Sequence, residues 1–227
     1  MATMCWICGT AEATTREHIA KRSDVKDIIG QGDRFFLHTA KSRNIPVNSL
    51  NSKKLKFEKS LCSHCNHTLT QPHDFAWEEF SSKIRNWTPS IEPGRKIRAN
   101  RIFKYDTTRK MRNIHLYFVK WMGCRIIEAG VPLKISSNIS IESLSNSIRF
   151  NRAHPHLWIS FGVSSGGNIS SSDLDLASFS AKMKYEYVAS IYTVDGLSVR
   201  IRCCAKRIPD DWHPQDGNCI RLADCRE

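Results

Sequence analysis

The chain has 227 residues and a mass of 26.0 kDa, enough for one large domain or two small ones, which excludes a miniprotein held together by disulfides. It is 41% hydrophobic and 25% charged, and no apolar run approaches the roughly 18 to 20 residues of a membrane span, so a folded, soluble protein is expected. The formal net charge of +12 is uneven: residues 1–112 hold 21 Lys and Arg against 11 Asp and Glu, and the remainder is almost balanced.

The N-terminus, MATMCWICGTAEATTREH, lacks a basic region followed by an apolar stretch and a small-residue cleavage site. A cytoplasmic address is therefore expected, and in a reducing compartment the nine cysteines favour metal over disulfides. Two identical spacings, Cys5-x-x-Cys8 and Cys62-x-x-Cys65, bracket one Cys/His-rich unit over residues 1–90. Within it, 20–29 reads as a short helix, 30–55 as a long polar loop, and 55–61 alternates like a strand. Phe75, Trp77, Phe80, Ile84 and Trp87 follow at roughly helical spacing, with Asp74 as the expected N-cap.

Residues 88–112 read as a linker and basic stretch, with eight Lys or Arg from Arg95 onward opposed only by Asp106. Ile114, Phe118, Trp121, Met122, Ile126 and Ile127 then mark a core helix that stops at Gly130 and Pro132. Short β-like runs follow at 132–136, 148–150, 157–163, 184–193 and 197–203, the last two joined by Asp195-Gly196, a hairpin signal. Ser/Gly-rich stretches at 136–147 and 164–172 read as loops between them. The whole is an α+β chain, divided as 1–90, a basic linker over 91–112, and a mixed α+β domain over 113–227 that binds substrate or a partner.

Tetrahedral zinc takes four thiolates, and a two-residue gap lets both cysteines of a tight knuckle reach one ion. Cys5, Cys8, Cys62 and Cys65 are thus the expected ligands of a structural zinc, closed to water by its own ligands. Chemistry must come from beside it. Glu17-His18 follows the first knuckle and Asn66 follows the second. Phosphodiester cleavage needs a base to activate water, which suits the imidazole of His18, and a hard cation, which suits the oxygens of Glu17 and Asn66.

The order C-x-x-C, acidic-His-Ile, C-x-x-C-Asn resembles the HNH, or His-Me finger, endonucleases, in particular their zinc-bearing subgroup. The resemblance covers residues 5 to about 80. It implies a ββα-metal module in which His18 is the general base and Glu17 and Asn66 hold one catalytic magnesium or manganese ion. It also implies a separate structural zinc on Cys5, Cys8, Cys62 and Cys65. Three departures stand out: Glu17 where Asp is common, Asn66 where His is common, and Phe57 where many members have an Asn that supports the base.

The expected activity is metal-dependent hydrolysis of DNA, open equally to restriction, phage defence or a mobile element. Nucleic acid is the expected partner, with a homodimer or a protein partner for the C-terminal half. Arg16, Lys21, Arg22, His73, Arg95, Lys96 and Arg98 are the expected phosphate contacts, weighed against ordinary solvated charge. His64 and His67 read better as surface residues. A second metal site from Cys203, Cys204, His213, Cys219 and Cys225 has irregular spacing, and Cys124 reads as core. The competing reading is a non-catalytic, zinc-stabilised nucleic-acid-binding protein.

Overall fold

The computed structural model describes residues 3–29, 35–38, 42–87, 91–131, 139–165, 169–177 and 187–225. Its organising element is a long helix, α3, Thr107–Glu128, which ends on Gly130 in the left-handed conformation that glycine tolerates. Almost every side chain from Ile114 to Ile126 is buried, so α3 is a central helix rather than an amphipathic surface one. Before it come α1 (Arg22–Ile29), the two-stranded hairpin β1 (Phe35–Leu37) and β2 (Ile45–Val47), α2 (Gln71–Arg85) and β3 (Lys96–Arg98).

After α3 come α4 (Ile141–Arg149), β4 (Leu157–Val163), β5 (Ile169–Ser171), β6 (Asp175–Ala177), β7 (Tyr187–Val194), β8 (Leu197–Cys204) and β9 (Cys219–Asp224). The larger sheet runs in the order β3-β9-β4-β8-β7-β5, with β6 also paired to β7. Only β4 and β9 are parallel. Trp77 of α2 marks the centre of the core. Its ring stacks on Tyr117 at 5.5 Å and meets Phe118 and Tyr192 edge-on at 4.8 and 5.8 Å, joining α2, α3 and β7 in one contact set.

The α+β class expected from the sequence is the class observed. Several local expectations are corrected. The stretch read as a loop over 30–55 carries the antiparallel β1–β2 pair, with Phe35 opposite Val47, Phe36 opposite Pro46 and Leu37 opposite Ile45. Residues 148–150 belong to the end of α4 rather than to a strand, and most of the supposed loop over 136–147 is that helix. Ser140 and Ser143 form a reciprocal capping box, and Leu144 and Ile148 bury its apolar face. The run at 132–136 lies outside the described residues. Residues 96–98, read within a linker, are paired with β9, and 107–112 are the first turns of α3. The loop expected over 164–172 contains β5. Among the described residues no helix is long and apolar enough to cross a membrane.

Candidate functional site

The two knuckles converge as their spacing requires. The Sγ atoms of Cys5, Cys8, Cys62 and Cys65 all lie within 4.8 Å of one another, and Cys8 and Cys62 are 3.9 Å apart. Four thiolates at about 2.3 Å from a tetrahedral zinc are separated by about 3.8 Å, so the cluster is compatible with a structural zinc. Local hydrogen bonds set each knuckle: the Gly9 amide donates to the Cys5 carbonyl at 2.8 Å, and the Cys65 amide points at Cys62 Sγ at 3.4 Å. Burial pushes the Cys5 and Cys65 thiols upward, so metal binding there is coupled to proton release.

The first knuckle is docked on the central helices. Trp6 lies against α3 at Gly123, where an added Cβ would stand 2.4 Å from the indole. Ser145 of α4 donates to the Ile7 carbonyl at 2.5 Å. Gly123 therefore sits mid-helix because the tryptophan needs its space, against a helix-propensity cost of about 1 kcal/mol.

Between the knuckles the chain returns antiparallel to itself. Thr15 N bonds Leu61 O at 2.8 Å, Phe57 N bonds Glu17 O at 2.9 Å, and Ile19 N bonds Leu55 O at 2.9 Å. The expected strand at 55–61 is thus an irregular ladder of isolated bridges rather than a regular strand. A π-helical turn, Cys65–Leu69, leads from the second knuckle into α2. This path brings Asn66 back to the Glu17-His18 segment, and its Nδ2 lies 3.4 Å from the Arg16 carbonyl.

Glu17 is buried. Its Oε1 accepts the His18 amide at 2.8 Å, and its Oε2 lies 2.5 Å from Lys120 Nζ. Burial works against the Glu17 carboxylate, but Lys120, Lys21 and the two hydrogen bonds outweigh it and hold its pKa below the ordinary value. Lys120 is fully buried in the middle of α3 and also donates to Asp74 Oδ1 at 2.7 Å. Burial disfavours its ammonium, yet Glu17 and Asp74 together raise its pKa. Lys21 completes the set, at 3.4 Å from Asp74 and 3.2 Å from Glu78.

His18 is half-buried beside this network. Its Nε2 is enclosed without a hydrogen-bond partner, and burial, opposed by Glu17, takes its pKa down to about 4. The imidazole is therefore neutral at physiological pH, with its Nε2 closed off from solvent. Phe57 is fully buried and packs edge-on against Trp121 at 5.7 Å.

The second knuckle returns the Asn66 side chain to the Arg16 carbonyl, one residue before Glu17. Glu17 carries an ammonium there already. Asp74 is corrected from its expected role: α2 begins at Gln71 with Pro72 in its first turn, and Asp74 is buried against Lys120 instead of capping the helix. Burial lifts its carboxyl above the ordinary value despite Lys120.

The expected phosphate contacts separate into two groups. Arg16 pairs with Glu58 at 2.8 Å, Lys21 is held by Asp74 and Glu78, and His73 is buried in α2, its Nδ1 without a partner. Arg22, Lys96 and Arg98 are exposed, and the Arg95 guanidinium lies over the Trp87 ring at 5.7 Å. His64 and His67 are exposed. Among the described residues the four-cysteine cluster is the single group of three or more Cys, His, Asp or Glu drawn together as metal ligands. Cys203, Cys204, His213, Cys219 and Cys225 do not form a second. Cys124 is core, near Ser60.

Sequence reasoning missed Lys120. Its signal is a lone charge inside the apolar run Ile114 to Met122, where a buried cation requires an acidic partner. It also missed Asp24, which is fully buried and accepts from Trp77 Nε1, Ser81 Oγ, Arg85 Nη2 and Tyr192 Oη. No family model, curated protein or solved structure matches this chain.

Proposed function

We propose that the chain is an HNH-type endonuclease that hydrolyses DNA phosphodiester bonds. The observation that carries this reading is that the second knuckle returns Asn66 to the Arg16 carbonyl, beside Glu17 and a half-buried His18 whose Nε2 has no hydrogen-bond partner. In this reading His18 takes the proton of the attacking water, and the Glu17 carboxylate fixes the strand by accepting the His18 amide. A magnesium or manganese ion on Glu17 and Asn66 would supply charge stabilisation for the phosphate and the leaving oxygen. The zinc cluster closes the segment from 8 to 62 and so keeps Asn66 beside Glu17. Exposed Arg22, Lys96 and Arg98 supply positive charge for the nucleic-acid backbone.

One observation favours a second reading, a non-catalytic, zinc-stabilised nucleic-acid-binding protein: Glu17 is already neutralised by Lys120. A plasmid cleavage assay with magnesium or manganese, comparing wild type with His18→Ala and an EDTA control, separates the two. Metal-dependent nicking or linearisation lost in His18→Ala supports the nuclease. Binding without cleavage by either protein, on DNA and RNA alike, supports the binding module.

A further inference from the structure

We propose that the face of the larger sheet turned away from α2 and α3 is a docking surface for duplex DNA, whose backbone phosphates are held by Lys96, Arg221 and Arg200. The proposal rests on the nucleic-acid half of the reading above. Phe161 of β4 packs on Phe80 of α2 with ring centroids 5.2 Å apart, and Ile97, Val199, Ile201, Ile220 and Leu222 join it in the core. Residues one step along each strand point the other way. Register places Lys96 opposite Arg221, and Ser160 opposite Arg200. Leu222 pairs with Phe161, so Arg221 and Ser160, each one residue earlier, are neighbours on the opposite face. Lys96, Arg221, Ser160 and Arg200 thus form one row across β3, β9, β4 and β8.

The three cations are exposed, and none has an ion-pair partner among the described residues. Like charges directly opposite one another across a ladder cost stability, and Lys96 faces Arg221. Protection of a sheet edge accounts for a lysine on β3, but β9 and β8 each have a strand on both sides. Asp211 beside the row is buried and already used. It accepts from Arg202, from Ser160 Oγ at 3.0 Å and from the Ile208 amide at 2.9 Å. Asp175 stands opposite Ala189, in the neighbouring row that contains Arg202. The row therefore keeps an unbalanced positive charge for an anion from outside.

Its chemistry selects the occupant. At about 4.8 Å per strand the row spans about 14 Å, the length of about four nucleotide steps at about 3.4 Å each. A protein partner is anchored by aromatic and apolar side chains in a desolvated centre. Here the apolar side chain is Ile191, opposite Arg200 at the end of the row. Unpaired bases need a free ring to stack on. Trp158, on the same face of β4, already carries the Arg207 guanidinium at 5.7 Å and donates Nε1 to the Cys204 carbonyl at 3.0 Å. Charge without a stacking platform fits the outside of a duplex.

The test is a titration of labelled duplex DNA with the full-length, zinc-loaded chain at several salt concentrations, read by fluorescence anisotropy without added divalent ion. Wild type is compared with Arg200→Gln, Arg221→Gln, the double variant, Arg221→Lys, and Arg149→Gln, which removes an exposed cation from α4. Each single Gln variant of the row should lower the slope of log affinity against log salt by about 0.9, and the double variant by about 1.8. Arg221→Lys and Arg149→Gln should keep the wild-type slope. The urea midpoint should be unchanged in Arg200→Gln and unchanged or higher in Arg221→Gln, where Lys96 loses a like-charged neighbour. A wild type that does not bind the duplex, an unchanged slope in the double variant, an equal loss in Arg149→Gln, or a fallen urea midpoint in both single variants overturns the proposal. So does a loss seen only with a single-stranded oligonucleotide or only with polyglutamate, which would give the face to unpaired strands or to an acidic protein. The nuclease reading fails separately: a wild type that binds with these slopes and never cleaves plasmid removes the nuclease and leaves the surface, and cleavage with unchanged slopes does the reverse.

Discussion

Around α1, α2 and the middle of α3, buried acids meet buried cations: Asp24 faces Arg85 at 3.2 Å, and Glu17 and Asp74 share Lys120. Where the first half of α3 meets β4 and the segment before β9, three buried imidazoles lie near a buried ion pair, Asp211 with Arg202. His115 and His213 pack edge to face at 5.0 Å. His115 Nε2 bonds the Leu157 carbonyl, His154 Nε2 the Ser143 hydroxyl, and His213 Nε2 the His154 carbonyl. None of these partners is a carboxylate. The first region is dominated by acids buried against lysine and arginine, the second by a cluster of rings kept neutral beside one ion pair, and each has its own way of failing.

The comparison breaks most completely at the zinc cluster, which belongs to the first region alone. Cys65→Ser should abolish the single equivalent of bound zinc, measured by metal analysis of the purified chain. Structural zinc sites carry apparent binding free energies of about 10–16 kcal/mol, comparable to a domain's whole stability of about 5–15 kcal/mol. Amide hydrogen exchange should then show protection lost first over 5–19 and 55–70, while β4, β7 and β8 retain theirs. Equal loss in the sheet would mean that the two regions are one cooperative unit.

Asp24→Ala is the next largest effect. It leaves an indole N–H, two hydroxyls and a guanidinium without their shared acceptor, so urea denaturation should show a loss of about 3–5 kcal/mol. Arg85 retains Asp27 at 2.8 Å, which places the loss towards the lower end of that range.

How much of this was legible in the sequence follows from the range of the interactions. The knuckles were, because two short spacings with a shared ion need no tertiary knowledge. So was the β7–β8 hairpin, where Asp195 and Gly196 both take positive φ, and so was α3, whose stripe is long and regular. Helix α4 was obscured by its serines, since the capping by Ser140 and Ser143 looks in composition like a loop. Strand β3 was obscured by its charges, which an edge strand carries on its exposed face. The Glu17–Lys120 pair joins residues 103 positions apart, and no local pattern announces such a partner.

Buried imidazoles should make both regions acid-sensitive, His18 and His73 in the first and His115, His154 and His213 in the second. Burial takes His115 down to about 3 and His154 to about 4, with neighbouring imidazoles adding to it, and lowers His213 as well. A depressed imidazole costs nothing while both states are neutral. As pH falls through the unfolded value near 6.5, the unfolded chain takes up protons that the folded chain refuses, and stability is lost. Between pH 6.5 and 5 one such group costs about 1–2 kcal/mol. Glu17 acts in a different window, since its lowered pKa contributes stability above the ordinary carboxylate value and loses it only in stronger acid. His115→Gln, which keeps a donor for the Leu157 carbonyl, should flatten the denaturation free energy between pH 6.5 and 5. An unchanged slope would move the acid sensitivity to the other lowered imidazoles, His18 and His73 among them.

The smallest effect concerns which region meets the nucleic acid. Arg16 and Lys21 lie near the candidate site, but each is bound to acidic side chains, so their charge is already balanced. Lys96 and Arg98 are exposed on the edge strand β3, and Lys96 sits opposite Arg221 of β9. Neither has an ion-pair partner among the described residues. Cations of that kind release counter-ions when they meet phosphate, so each neutralised contact changes the slope of log affinity against log salt by about 0.9 on duplex DNA. Lys96→Gln and Arg98→Gln should each lower the slope by about that amount in a fluorescence-anisotropy titration. Arg16→Gln should lower it by less, because Glu58 already balances the Arg16 charge. The reverse ranking would place the backbone contacts beside His18 and leave the β3 edge as an ordinary solvated surface.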